Sequence, residues 1–219
     1  MGNLYIIPDW FFGYTIILGL IFGIITLIVG VYALKIYKLS AQKASKNFGI
    51  GFIFISIAYF IQTILNLVLF SKLQIQKVIS LSTFNMWGNI GIYLYMLFFL
   101  AGLITLVYVT LGVNNFRVYS LLFILLMGSL IITPFKLNIF HIFSSILFVY
   151  IIIHYLINYL RNKNYKNLIV FIAFIFLLLS NIQFIFSLKN GLYYVIGDIL
   201  SFVAYLLILI NLIIVARKK

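Results

Sequence analysis

Long apolar runs and short polar breaks alternate along the chain. The runs fall at about 10–34, 48–70, 87–112, 118–134, 138–160, 167–187 and 192–215, each limited by Lys, Arg, Asn, Pro or Gly. A helix needs ~20 apolar residues to cross the ~30 Å hydrocarbon core of a bilayer, and each run comes near that length, the fourth being the shortest. The runs are continuous and lack the ~10-residue alternations of a membrane barrel, and in lipid each segment has to satisfy its own backbone polar groups. The pattern therefore predicts an all-α fold, a single seven-helix transmembrane domain covering 1–219. Pro8 and Pro134 lie outside a run or at its very end, so no span is expected to kink at a proline. The longest connection, Ser71 to Met86, reads as an ordered loop, with a small hairpin or a surface-lying helix as alternatives.

Composition closes off the soluble alternative. Of 219 residues, 66% are hydrophobic and 8% charged, whereas soluble domains are about a quarter charged. The formal charge of +13 does not point to nucleic acid, because nothing forms a basic groove interleaved with exposed aromatics. It points to orientation. One side of the predicted membrane receives Lys35, Lys38, Lys43, Lys46, Arg117, Arg161, Lys163, Lys166, Arg217, Lys218 and Lys219, and the other only Lys72, Lys77, Lys136 and Lys189. The positive-inside rule then puts the N-terminus outside and the C-terminus in the cytoplasm of a multi-pass cell-membrane protein. Tyr5, Trp10, Trp87, Tyr193 and Tyr194 fit an outer aromatic belt. The start of the chain lacks a basic n-region and a small-residue cleavage site, so the first span is expected to be retained, and Ile6 stands where a myristoylation signal needs Ser or Thr.

Within the spans the polar residues are few, and their spacing groups them. Gly19, Gly23, Thr26 and Gly30 fall at i, i+4, i+7 and i+11, a stripe of small residues that lets another backbone approach closely, within the bundle or in a homodimer. Tyr59, Gln62, Thr63 and Asn66 share a face of the second span, and Tyr194, Asp198, Ser201 and Tyr205 share one on the seventh. Counting at 1.5 Å per residue puts Asp198 ~8 Å below the outer boundary. His141, Ser144, Ser145, Ser180, Asn181, Gln183, Asn89 and Ser129 fall in the outer halves of their own spans. Polar groups are costly against lipid and turn inward. The convergence therefore predicts an outward-opening polar pocket lined by Asp198, Asn181, Gln62, Asn66, His141, Ser201, Tyr194 and Asn89, with interhelical hydrogen bonding alone as the plainer alternative. Asp198, the only acidic residue inside a span, with Asp9 at the mouth, is expected to be partnered by Asn181, His141, Gln62 and Asn66.

The same scarcity excludes most chemistries. The chain has no cysteine, which removes disulfide, thiolate and iron–sulfur chemistry. His141 and His154, on one predicted helix, stand ~20 Å apart in depth and cannot share a metal or a haem. A membrane aspartyl protease needs two facing aspartates, and no Ser–His–Asp arrangement, phosphate loop or zinc motif is present. No cofactor, metal or enzymatic activity is expected.

Seven spans with the N-terminus outside look like the rhodopsin layout, and Asp198 on the seventh resembles that family's helix-seven aspartate. A retinal Schiff base would need a lysine one turn deeper, where Phe202 stands. A three-plus-one-plus-three reading resembles the small sugar transporters poorly, since their helix prolines and Pro-Gln pair are missing. Ala33-Leu34-Lys35-Ile36-Tyr37-Lys38-Leu39-Ser40 followed by Ser45-Lys46-Asn47-Phe48-Gly49-Ile50-Gly51-Phe52 resembles the helix 1–2 connection of prokaryotic seven-transmembrane sensor modules, including those fused to histidine kinases. With no output domain before Lys219, the resemblance implies signalling through a partner protein. The expected function is a receptor- or sensor-like module that binds a small ligand with an amine or hydroxyl. Lys38 to Lys46 and Arg161 to Lys166 would meet anionic lipid or an acidic protein partner at the cytoplasmic face. A proton-coupled carrier with Asp198 titrating, and a membrane assembly subunit, are the alternatives.

Overall fold

A computed structural model of the chain describes the backbone of residues 8–75, 81–112, 115–133, 136–187 and 190–217, and the side chains of all of these except 9, 69–75, 81–89, 216 and 217. After a short 3-10 turn, Asp9–Phe11, come α1 (Phe12–Ser40), α2 (Lys43–Ile75), α3 (Leu81–Leu111), α4 (Phe116–Ile132), α5 (Lys136–Asn162), α6 (Tyr165–Phe186) and α7 (Leu192–Arg217). No strand occurs among the described residues. Six helices are long and apolar enough to cross a membrane. The exception, α4, has 17 residues, about 25 Å at 1.5 Å per residue.

The asparagines that break the apolar runs do so as helix caps. The Asn115 side-chain oxygen accepts from the Arg117 N–H at 3.0 Å, Asn164 from Lys166 at 3.1 Å and Asn190 from Leu192 at 3.0 Å, so each satisfies a donor that the first turn leaves free. The helix α1 ends where Ala41 turns left-handed (φ 55°) and its N–H reaches back to the Tyr37 carbonyl at 2.8 Å.

The helices outrun the apolar stretches. The helix α2 starts at Lys43 and continues to Ile75, and α3 starts at Leu81, so most of the expected loop from Ser71 to Met86 is helical on either side of residues 76–80, which lie outside the described residues. Hydropathy marks where lipid is met, whereas the backbone ladder stops only at a cap or a breaker. The helix α4 is offset toward the N-terminus relative to the run at 118–134, because Asn115 caps it and it ends at Ile132. Pro134 lies outside the described residues.

Packing follows α1, α2, α3, α5, α6 and α7 in turn, with α7 returning to α1 to close a ring, while α4 lies outside it against α3 and α5. The contacts give the directions. Tyr95 and Phe99 of α3 pack on Phe140 of α5, and further along both helices Val109 and Tyr155 line one cavity. The helices α3 and α5 are therefore parallel, and α4 carries the chain back between them. The helices α1 and α7 are parallel too, meeting at Thr15 and Asp198 and again at Phe22 and Tyr205. Consecutive helices thus run in opposite senses, and the described chain begins at one end of the bundle and finishes at the other.

Close approach depends on glycine at two crossings. A Cβ on Gly30 of α1 would sit 3.0 Å from the Gly49 carbonyl oxygen of α2, and one on Gly102 of α3 would sit 2.7 Å from the carbonyl oxygen of Gly51. The helix α2 is thereby held backbone to backbone against both neighbours. Gly19 and Gly23 face Thr63 and Phe60 of the same helix, so the small-residue stripe on α1 is used inside the bundle. At mid-depth Phe22, Tyr59, Tyr95, Phe99, Phe140 and Tyr205 interlock with ring centroids 5.2 to 6.5 Å apart. Beyond this aromatic layer Leu100, Leu103 and Ile104 of α3 are fully buried.

Candidate functional site

The first turn of α1 lies beside the second turn of α7, which brings Thr15 to Asp198. The Thr15 hydroxyl is 3.4 Å from Asp198 Oδ2 and also 3.4 Å from the carbonyl oxygen of Phe11. A hydroxyl has one proton to give, so the carboxyl group receives a long, shared hydrogen bond. Asp198 is 5% exposed, and among the described residues no cation pairs with it. The hydroxyls of Tyr59, Tyr95 and Tyr194 lie within electrostatic reach of the carboxyl group. Tyr194 stands one turn before Asp198 on α7 and packs its ring on Phe184 of α6 at 5.2 Å. Tyr59 joins hydroxyls with Tyr205 at 2.8 Å. The one hydroxyl in hydrogen-bond contact with Asp198 among the described residues is that of Thr15.

The partners expected for Asp198 are elsewhere. His141 Nδ1 and Asn181 Oδ1 lie 3.0 Å apart, linking α5 to α6, and the Asn181 amide also donates to the Leu177 carbonyl at 3.0 Å. Ser201 bonds Ser180 at 2.7 Å, linking α7 to α6. Asn66 is buried and Gln62 half-buried, and neither makes a hydrogen bond among the described residues. Asn89 lies in α3, with its side chain outside the described residues. The polar groups therefore divide into an Asp198 cluster on α7, α1, α2 and α3 and a separate set on α5, α6 and α7. Two further polar atoms, Ser144 Oγ and Gln183 Oε1, are buried without a partner among the described residues. A cavity of about 310 Å³ lies in the opposite half of the bundle, beyond the aromatic layer and away from Asp198.

Depth alone misled the pairing, because it fixes how far down a side chain sits and says nothing about which way its helix is turned. Thr15 was nonetheless within reach: it precedes Gly19 by four residues and extends the Gly19, Gly23, Thr26, Gly30 stripe by one turn. Tyr95, one of 16 tyrosines, carried no such signal. Tyr194, read both as an outer aromatic and as a residue of the Asp198 face, packs against Phe184 of α6, while Trp10 and Tyr193 are exposed.

Chemically, a buried acidic group with one shared donor and several hydroxyl neighbours can take a proton, a small cation or the hydrogen-bonding head of a ligand. Among the described residues it has no second carboxylate and no metal-ligating neighbour, and no group of three His, Cys, Asp or Glu occurs there. No family model, no curated protein and no solved structure matches the chain.

Proposed function

We propose that the chain is a receptor- or sensor-like module of the cell membrane, N-terminus outside, that binds a small ligand bearing an amine or hydroxyl at Asp198. The observation that carries this reading is the poverty of the aspartate's own partners. A buried carboxyl group ordinarily collects several donors, and among the described residues Asp198 has a single one, at 3.4 Å and shared with a backbone carbonyl. An ammonium or hydroxyl would complete it, with the Tyr59, Tyr95 and Tyr194 hydroxyls as orienting groups.

Transmission would run through α7, which carries Asp198 and, two turns on, Tyr205. Drawing Asp198 toward a ligand loosens the Thr15 link to α1 and bears on the Tyr59–Tyr205 pair, and helix shifts of about 1–2 Å are a common form of switching. A basic end that meets anionic lipid or an acidic partner would read the shift.

The test is a thermal-unfolding screen of the purified full chain against a panel of small primary amines and amino alcohols, repeated with Asp198→Asn. A compound that raises the midpoint in the original protein and not in the variant is the expected result. A shift unchanged by Asp198→Asn would sink the assignment. The same compound offered to proteoliposomes separates the carrier reading, since uptake that depends on Asp198 means transport. If no compound binds and Asp198→Asn is silent, an assembly subunit is the better reading.

A further inference from the structure

The cavity of about 310 Å³ sits at the end of the bundle where α1 finishes and α2 begins, and it is walled by every helix except α4. Its size falls at the lower end of the ~300–1,000 Å³ typical of small-molecule sites. The deep wall is apolar and aromatic, with Phe52, Phe174 and Ile208, and the Tyr155 ring stacks on Phe174 at 5.7 Å.

Two features mark it as more than a packing gap. The first is Asn211, which lines the cavity. Among the described residues its carbonyl oxygen is buried with no partner and its amide makes no hydrogen bond. Oxygen and nitrogen exchange places on rotation of the last side-chain bond, so the matching ligand group is a hydroxyl, which both donates and accepts. The second is the rim. Lys43 and Lys46 flank the lining residues Ala44 and Ser45. The Lys46 ammonium lies 5.7 Å from the Tyr37 ring centroid, beside the lining residue Ile36. Lys166 is one turn beyond the lining residue Val170 on the same face of α6. No acidic side chain balances these charges, because Asp9 and Asp198 are the only acidic residues and both belong to the other end.

We propose that this cavity binds a single-chain anionic amphiphile carrying a hydroxyl, such as a lysophospholipid, taken from the membrane. The chain fills the space between Phe52, Phe174 and Ile208, the hydroxyl meets Asn211, and the phosphate rests on the lysine rim. The volume suits one chain rather than two, and a headgroup at this level lies where lipid phosphates lie. The site is independent of Asp198.

Binding of myristoyl lysophosphatidylglycerol to the full chain in phosphatidylcholine nanodiscs, measured by titration calorimetry against empty nanodiscs, tests it. Saturable binding is expected, about tenfold tighter than for the zwitterionic myristoyl lysophosphatidylcholine, and Lys43→Gln with Lys46→Gln should erase that preference. Val29→Phe, and Val109→Phe from a second helix, should abolish binding by filling the cavity. Asn211→Leu should weaken lysophosphatidylglycerol about tenfold and leave tetradecyl sulfate, which has the chain and charge without a hydroxyl, unaffected. Asp198→Asn should change none of these values. Equal affinity for the two lysophospholipids, binding that survives both fillers, or an Asn211→Leu loss shared by tetradecyl sulfate would each overturn the proposal.

Discussion

Asp198 and Thr15 show what a single side chain can and cannot disclose. That a lone carboxyl group inside an apolar run faces other helices follows from the cost of placing it against lipid, and the buried position of Asp198 agrees. Its partner does not follow from the sequence, because Asn181, His141, Gln62 and Asn66 were all at a suitable depth and the azimuth of each helix was free. His141 and Asn181 satisfy one another instead. An under-partnered buried group also makes a stability prediction. Replacing a poorly satisfied polar group with an apolar one of similar size is often neutral or stabilising, so Asp198→Leu should raise unfolding stability by about 1–3 kcal/mol while removing ligand response. Denaturation in mixed micelles checks this. A fall in stability would show that the aspartate holds the fold together rather than standing ready for a ligand.

Among the elements, helix number and sense were legible and helix faces were not. In water a buried face is the apolar one. In lipid the outer face is equally apolar, as Ile17, Leu20, Ile24 and Val31 of α1 illustrate by being exposed, so the inward face is betrayed only by small and polar residues. The stripe on α1 was visible because its members repeat. Gly49 and Gly51 of α2 and Gly102 of α3, which complete the two backbone crossings, stand singly or two apart and form no stripe. Their roles can be ranked. Gly30→Val and Gly102→Val push side chains into facing backbone and should each cost about 1–3 kcal/mol. By contrast Gly128→Ala on α4, where a Cβ meets nothing within 4 Å, should be neutral or stabilise by up to ~1 kcal/mol through helix propensity. Equal effects at the three positions, measured by unfolding in one detergent, would refute the crossing geometry.

Across the whole molecule, seven helices with alternating sense were readable because each run approaches membrane length and each break carries charge or a cap, and six of them are long and apolar enough to cross a membrane. Even the short α4 keeps its place in the count, since parallel α3 and α5 require a return between them. Sidedness is open to direct measurement because the chain has no cysteine, so single cysteines introduce the only thiols. With the basic end in the cytoplasm, Gln42→Cys and Asn164→Cys should react with an impermeant maleimide only after cells are opened, and Asn190→Cys should react in intact cells. The reverse pattern would invert the proposed orientation. The interlocked rings of Phe22, Tyr59, Tyr95, Phe99, Phe140 and Tyr205 carry a last consequence. A charge carried through them also has to pass the fully buried Leu100, Leu103 and Ile104, so it works against the membrane field over the thickness of both layers, and the whole field is worth about 2.3 kcal/mol per elementary charge for each 100 mV.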